Sequence, residues 1–500
     1  MNESEKTIAK NAGVMMLSQI ATWGMTLVYM IFLPRNVGAV GMGTLQLATA
    51  LWGIVIILTS FGMDTFLTKE IARSPEKINE LFSASIVLRI CLFLFSIGGM
   101  VFYTRLAGYS DDTVIVIYIT GIASLIGLLA SACQSSLFGL EHMEYVSIGD
   151  ILSKGVTTIL SIILLIMGYG VVSVAIVNIL GNLISFGILS TGLRRVHQVR
   201  LQRFDWSLAK WILKSSFPYL IINGFLIFYM QIDVIILSLL ASERQVGWYG
   251  TADRLFGTLL FIPTVYMTAV FPALSRMQAS ASDSSAKLTR LSFDLLNLVA
   301  VPMGLGLLVI ANQLVVLVFG DDFVGSGPVL MVFGIVLILT YQNMVINTSL
   351  IAADRQKAWT RVIVVAALSS IPLDLILIPW SQNNFNNGAI GGALAFVVTE
   401  AFILTAGISI LPKGTLNQAN LSYTLRTILA GLIMLGSTWW LRDKFIVIPI
   451  VVGAAVYLIA VFGLGLLTPD MRNIIRIAVI NIKQRLGFIR IKSAFGNPTK

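Results

Sequence analysis

The chain alternates between long apolar runs and short stretches that hold most of its charges, prolines and glycines. Fourteen apolar runs are separated in this way, at residues 12–33, 44–67, 82–104, 113–134, 146–167, 171–193, 216–240, 250–272, 293–319, 328–351, 361–380, 388–411, 424–441 and 445–467. About 20 apolar residues suffice to cross the bilayer core as an α-helix. Ten-residue segments of alternating polarity, typical of a membrane β-barrel, do not stand out. The pattern predicts an all-α, polytopic membrane protein with 14 transmembrane helices.

Composition agrees with this prediction and excludes several kinds of chemistry. The chain is 57% hydrophobic and 12% charged, and its mean hydropathy is +0.88. Its two cysteines, Cys91 and Cys133, fall inside predicted helices, which argues against a disulfide framework. The two histidines belong to no metal-ligand cluster, and no phosphate-binding GxxxxGK[ST] loop occurs. We therefore expect no metal and no cofactor, and the short outside loops predict a protein that is not an enzyme.

The distribution of Lys and Arg predicts the orientation of the spans. With the N-terminus inside, the cytoplasmic segments hold 26 of the 34 basic residues and the outside loops hold 5. An excess of this kind marks the cytoplasmic side. We expect a multi-pass protein of the plasma or inner membrane with both termini in the cytoplasm. Basic loops lying on anionic membrane lipid explain the net charge of +10, and nucleic acid is not an expected partner.

Internal similarity suggests two related halves. VGMGTLQLA (40–48) resembles VGWYGTADRL (246–255), and two further pairs of segments match at similar offsets. Because each half contains six spans, both would have the same orientation, related by a pseudo-two-fold axis along the membrane normal. The predicted organisation is listed here in chain order: an N-lobe (1–193), a basic cytoplasmic linker (194–215), a C-lobe (216–411), two extra helices (412–467) and a basic amphipathic cytoplasmic tail (468–500).

Four segments carry a resemblance to a known family: LPRNVGAVGMGTLQLA (33–48), SSLFGLEHMEYVSIGDIL (135–152), QIDVIILSLLASERQVGWYGTADRL (231–255) and FPALSRM (271–277). With the six-plus-six-plus-two plan of spans, they resemble the multidrug/oligosaccharidyl-lipid/polysaccharide exporter superfamily. Within it, the chain is similar to the polysaccharide-type flippases, including O-antigen and teichuronic-acid flippases. The resemblance implies transbilayer movement of undecaprenyl-diphosphate-linked sugars from the cytoplasmic to the outer leaflet.

Ionisable residues inside predicted spans are the candidate functional residues. A charge at the centre of a bilayer costs about 2.5–3.5 kcal/mol even on lenient scales, so such residues are rare without a role. Three cations suit a diphosphate, because Arg binds phosphate oxygens bidentately and Lys as a point charge: Arg89, Lys154 and Arg254. Five acids are candidates for gating or ion coupling: Asp150, Asp233, Asp253, Asp374 and Glu400.

Structural interpretations of the same residues remain open. Asp150 and Lys154 are four residues apart and share a helix face, so they could neutralise each other. Arg89 lies near a span end and could extend to the interface. Glu400 could hydrogen-bond between helices. For Asp233 we hypothesise a pair with Arg254, either released by an arriving diphosphate or permanent.

Three functions are compatible with this sequence to different degrees. The favoured one is a flippase for polyprenyl-diphosphate-linked oligosaccharide, with that glycan, membrane lipid and polysaccharide-assembly proteins as partners. The alternative is a multidrug or organic-cation exporter of the same fold, and three cations against five acids do not separate the two. A membrane polysaccharide polymerase or ligase is remote, because it needs a sizeable outside loop.

Overall fold

The apolar runs form α-helices in a computed structural model that describes residues 3–279 and 284–469. Within these ranges the protein has fifteen α-helices and no strand. The first seven are α1 (Glu3–Ser60), α2 (Met63–Arg73), α3 (Ile78–Ala107), α4 (Asp111–Gly139), α5 (Met143–Ile166), α6 (Val171–His197) and α7 (Trp206–Leu240). The other eight are α8 (Glu243–Leu259), α9 (Phe261–Ala279), α10 (Ser284–Phe319), α11 (Ser326–Ala352), α12 (Gln356–Phe385), α13 (Gly388–Ile410), α14 (Gln418–Trp439) and α15 (Val447–Gly463).

The predicted spans fall in helix, with breaks inside 44–67 and 250–272, so the prediction of an all-α polytopic membrane protein is confirmed. In the described residues eleven helical segments are long and apolar enough to cross a membrane, and the first of them, Leu17–Arg73, covers two predicted spans. The separation of the fifth and sixth spans is also confirmed, because α5 ends at Ile166 and α6 begins at Val171. Gly168 lies between them at φ 86°, a conformation that favours glycine.

Prolines and glycines place the helix breaks differently from the apolar pattern. The first two predicted spans are separated at Gly38, which has φ 70° and lies in the predicted loop 34–43, as expected. The second predicted span, 44–67, is itself divided at Phe61 and Gly62, because α1 ends at Ser60 and α2 begins at Met63. The predicted span 250–272 is divided into α8 and α9 at Leu260, three residues before Pro263. The backbone conformation, rather than hydropathy, decides these breaks.

The second half of the predicted linker is helical. Helix α6 ends at His197, and α7 already begins at Trp206, so α7 includes both linker residues and the seventh span. Asp205 caps α7 by accepting a hydrogen bond from the Ser207 amide at 2.8 Å. Hydrogen bonds from Ser207 hold the pKa of the Asp205 carboxyl below its ordinary value. The predicted amphipathic tail, 468–500, lies outside the described residues from residue 470 onward.

The chain divides into two compact units. The first contains Met1–Leu255, Asn312–Val332 and Thr360–Thr399. One apolar cluster in it joins α2, α3, α4, α5, α6 and the start of α7, with Leu67, Ile71 and Cys133 fully buried. The second contains Phe256–Ala311, Phe333–Trp359 and the described residues from Glu400 onward.

Two glycines let α1 and α8 cross with their backbones in contact. A Cβ atom on Gly43 would lie 1.8 Å from the Glu243 carbonyl oxygen, and one on Gly247 would lie 1.8 Å from the Ala39 carbonyl oxygen. Gly43 therefore packs against the carbonyl of Glu243, four residues before Gly247, and Gly247 packs against the carbonyl of Ala39, four residues before Gly43. Both glycines belong to the repeated segments VGMG and VGWYG, so these segments meet in a locally reciprocal arrangement. The two-fold relation of whole lobes stays a prediction.

Polar contacts of Asp322 lie beside this crossing. Its carboxylate accepts a hydrogen bond from the Ala39 amide at 2.6 Å and pairs with Arg244 at 2.9 Å. Its carbonyl accepts from the Trp248 indole at 2.9 Å. Arg35 donates to the Leu317 and Val318 carbonyls near the end of α10. Residues around the break in α1 are thus bound to α8 and to the loop after α10.

Candidate functional site

Two of the predicted cations, Lys154 and Arg254, lie close together in the first unit. The Lys154 ammonium lies over the ring of Tyr29, 5.8 Å from the ring centroid. Lys154 and Arg254 are close enough for their charges to interact, and Arg254 also interacts with Tyr29. Gly155 places α5 in ordinary contact distance of α1, since a Cβ there would lie 3.6 Å from the Met25 methyl group. We call Tyr29, Lys154 and Arg254 the cation cluster.

The cation cluster is not neutralised by ion pairs. Within residues 3–279 and 284–469, neither Lys154 nor Arg254 has a carboxylate within salt-bridge distance. Asp253 precedes Arg254 in α8, and its charge acts on the guanidinium. Both cations are half-buried. Two like charges in this setting repel each other, and an anion that contacts both would remove that repulsion.

Asp150 does not neutralise Lys154 in the described structure. The two residues occupy successive turns of α5, but Asp150 is exposed and no ion pair joins them. The structural alternative for this pair is therefore wrong, and Asp150 stays a gating or coupling candidate by prediction only.

The third predicted cation, Arg89, is held by a different set of groups. Its side chain is fully buried in α3 and forms an ion pair with Asp64 at 2.8 Å. It also donates to the Leu128 carbonyl at 2.9 Å and to the Ser131 hydroxyl at 2.6 Å. Arg89 thus links α3 to α2 and α4 and does not extend to the interface. Its role as a diphosphate ligand stays a prediction.

Asp233 and Asp374 form a carboxyl pair within the first unit. Asp233 of α7 accepts a hydrogen bond from the Tyr249 hydroxyl of α8 at 3.1 Å. Asp374 of α12 is fully buried and lies against Asp233. The predicted Asp233–Arg254 pair is wrong, because Tyr249 and Asp374 occupy the place expected for the arginine. Helix α8 turns Tyr249, not Arg254, toward α7.

The charge of Asp253 acts on a residue of the cation cluster and on a residue of the carboxyl pair. Its charge acts on Arg254 on one side and on Asp233 and Tyr249 on the other. The cation cluster and the carboxyl pair are therefore neighbours in the same unit. In place of one direct ion pair, the charge of Asp253 acts on Arg254 and on Asp233.

Glu400 lies in the second unit and is buried. Its carboxylate accepts hydrogen bonds from Thr340 at 2.9 Å and from Asn343 at 2.8 Å. The Asn343 amide also donates to the Glu400 carbonyl at 3.0 Å. These bonds join α11 to α13, as the structural interpretation of Glu400 expects. A coupling role for Glu400 stays a prediction.

The sequence analysis missed the tyrosines of both groups. Tyr29 and Tyr249 are uncharged and therefore did not stand out among apolar residues. The segment that contains Tyr249, VGWYG, had been noted only as a repeat and a family motif. A search for hydroxyl-bearing residues one or two helix turns from an intramembrane acid could have found it.

The fold defines a class of protein. The structure superposes on the lipid II flippase MurJ, in an inward closed conformation, with a TM-score of 0.71 and 17% sequence identity. The match covers 89% of this chain and 98% of the MurJ chain. It also superposes on an inward-facing multidrug resistance transporter of the MATE family, in the MOP superfamily, with a TM-score of 0.61 and 14% sequence identity. This match covers 83% of this chain and 94% of the transporter chain. The fold is that of multi-pass membrane transporters of this superfamily.

The family follows from the sequence. Residues 8–278 match the model of the polysaccharide biosynthesis protein family, and the chain belongs to that family. A relative is the "Probable low-salt glycan biosynthesis flippase Agl15" of Haloferax volcanii, which is 24% identical over 402 residues, 79% of this chain and 81% of the relative. The resemblance seen in the sequence motifs is thus confirmed.

Proposed function

We propose that this protein moves polyprenyl-diphosphate-linked oligosaccharide from the inner to the outer leaflet of the cell membrane, for cell-surface polysaccharide synthesis. Membership of the polysaccharide biosynthesis family supports this proposal, and so do the flippase names of a sequence relative and of a structural neighbour. In this proposal the glycan-bearing lipid, membrane lipid and polysaccharide-assembly proteins are the partners, and both termini are cytoplasmic.

The observation that carries the proposal is the proximity of Lys154 and Arg254. A diphosphate has oxygens on two phosphorus atoms, so an arginine and a lysine whose charges interact could each bind one of its phosphate groups. Tyr29 adds an aromatic face and a hydroxyl to the same place. A lipophilic organic cation, the cargo of the alternative exporter function, would be repelled by the same two charges.

The proposed mechanism is alternating access between the two predicted lobes, 1–193 and 216–411. Binding of the diphosphate at Arg254 would weaken the hold of Asp253 on that guanidinium. Since the charge of Asp253 also acts on Asp233, the state of the carboxyl pair would change with the cargo. Asp233 and Asp374 are therefore the proposed coupling residues for an ion or a proton.

The test uses purified protein in liposomes with a fluorescent polyprenyl-diphosphate oligosaccharide in the inner leaflet. We expect Arg254→Ala and Lys154→Ala each to lower the rate of transfer at least about tenfold, because a charge-assisted contact to phosphate is lost. Arg254→Lys should retain part of the rate, since the charge remains but the bidentate geometry does not.

The matched control is Arg105→Ala, which removes an exposed arginine at the end of α3. It should transport like the wild type. Equal loss in Arg105→Ala and Arg254→Ala would contradict a specific anion site. Export of a lipophilic cation by the wild type, without transfer of the lipid-linked glycan, would favour the alternative function.

A further inference from the structure

Two prolines of the second unit each leave a backbone carbonyl without its helical partner. In an α-helix the carbonyl of one residue accepts a hydrogen bond from the amide four residues later, and proline has no amide hydrogen. Pro302, inside α10, leaves the carbonyl of Leu298 without a backbone amide donor. The Leu259 carbonyl ends α8, and Pro263, four residues later in the first turn of α9, has no amide hydrogen to donate to it. Inside a membrane such carbonyls need another donor.

A tyrosine from another helix supplies that donor in both places. The Tyr457 hydroxyl of α15 donates to the Leu298 carbonyl at 2.8 Å. The Tyr341 hydroxyl of α11 donates to the Leu259 carbonyl at 2.7 Å. Tyr341 is fully buried and Tyr457 is 7% exposed, so water does not compete freely for either bond. The same chemical arrangement thus occurs twice in one unit.

The helix before α15, α14, packs against α10 near Leu298. Gly431 of α14 lies against α10, because a Cβ there would come 2.5 Å from a Val301 methyl group. The Asn420 amide at the start of α14 donates to the Asp294 carboxylate of α10 at 2.9 Å. The hairpin of α14 and α15 therefore contacts α10 on both sides of the carbonyl that Pro302 exposes.

We propose that Tyr341 and Tyr457 are positioning residues for transport, each replacing the amide donor that a proline removes. Each hydroxyl sets how the helix segments on the two sides of its proline site are oriented. Because Tyr457 belongs to α15, the last two helices act on α10 and are a working part of the transporter, although they stand outside the predicted twelve-helix repeat. The transport consequence rests on the proposed function, whereas the backbone role does not.

The test is a double-mutant cycle that restores the missing amide. Tyr457→Phe removes the hydroxyl and leaves the Leu298 carbonyl unpaired, so we expect a lower melting temperature in detergent. In the liposome assay we expect a loss of about tenfold in the maximal transfer rate, with the half-saturating glycan concentration unchanged. In the Pro302→Ala background, the introduced alanine supplies a backbone amide to the same carbonyl, so Tyr457→Phe should have no further effect on either quantity.

The second proline site provides the matched control. Pro263→Ala should cancel the effect of Tyr341→Phe and leave the effect of Tyr457→Phe unchanged. Conversely, Pro302→Ala should cancel the effect of Tyr457→Phe and leave the effect of Tyr341→Phe unchanged. An effect of Tyr457→Phe that is equal with and without Pro302 would overturn the proposal. So would a loss of abundance with normal transfer per molecule, because the tyrosine would then be structural only.

The melting-temperature cycle needs no substrate and separates the two proposals. Coupling of Tyr457 to Pro302 in detergent, in a protein that transfers no lipid-linked glycan, would refute the proposed function and support the backbone role. Normal glycan transfer by the wild type, with no coupling between Tyr457 and Pro302 in the cycle, would support the proposed function and refute the backbone role.

Discussion

At the scale of single residues, the carboxyl pair of Asp233 and Asp374 is the most unusual feature of the described spans. Two carboxylates in contact repel each other, and a buried environment strengthens that repulsion. A proton shared between them, or a bound cation, relieves it. The Tyr249 hydroxyl already donates to Asp233, so Asp374 is the member with fewer protein partners.

We expect Asp374→Asn to insert at normal abundance and to change the pH dependence of transport. Asparagine keeps the size of the side chain and can donate a hydrogen bond to Asp233, but it removes one negative charge. Initial transfer rates in liposomes at several pH values measure the effect. Asp112→Asn, at an exposed position in the first turn of α4, is the control. A wild-type pH profile in Asp374→Asn would exclude the pair from coupling.

At the scale of helices, the crossing of α1 and α8 depends on the absence of two side chains. The backbone contacts at Gly43 and Gly247 leave no space for a methyl group, and the obstructing atoms are carbonyl oxygens, which cannot rotate away. The contact is therefore sensitive to the smallest substitution.

We expect Gly247→Ala to separate α1 from α8 and to cost about 1–3 kcal/mol, as overpacking in a well-packed interior does. Thermal unfolding in detergent and transfer rate in liposomes should both decrease. Gly257→Ala is a control in the same helix, because a Cβ at Gly257 meets no atom within 4 Å. Unchanged stability of Gly247→Ala would show that the two helices do not need this contact.

At the scale of the whole molecule, the orientation in the membrane is predicted from charge alone. Labelling of single cysteines with an impermeant maleimide, in a variant without Cys91 and Cys133, tests it. Ser110, Ser242 and Asn384 should react from outside the cell, and Ser74 and Asn417 only after permeabilisation. Reaction of Ser74 or Asn417 in intact cells would reverse the proposed direction of transport.

The apolar pattern determined the helical class and the positions of the apolar runs, because hydropathy is a local property that the bilayer enforces segment by segment. The four motif segments indicated the family, and the charges inside the apolar runs provided eight candidate functional residues. The helix breaks at Phe61–Gly62 and at Leu260 were not found in this way, since they depend on backbone angles and on amide hydrogens rather than on hydropathy.

Only the tertiary structure decided which charges meet. Lys154 and Arg254 are 100 positions apart, and so no spacing rule connects them. Asp233 and Arg254 looked like partners because they have similar depths in consecutive spans, but the rotation of α8 about its axis presents Tyr249 to Asp233. Depth follows from position in the sequence, whereas the face that a helix turns to its neighbour is set by side-chain packing across the whole fold.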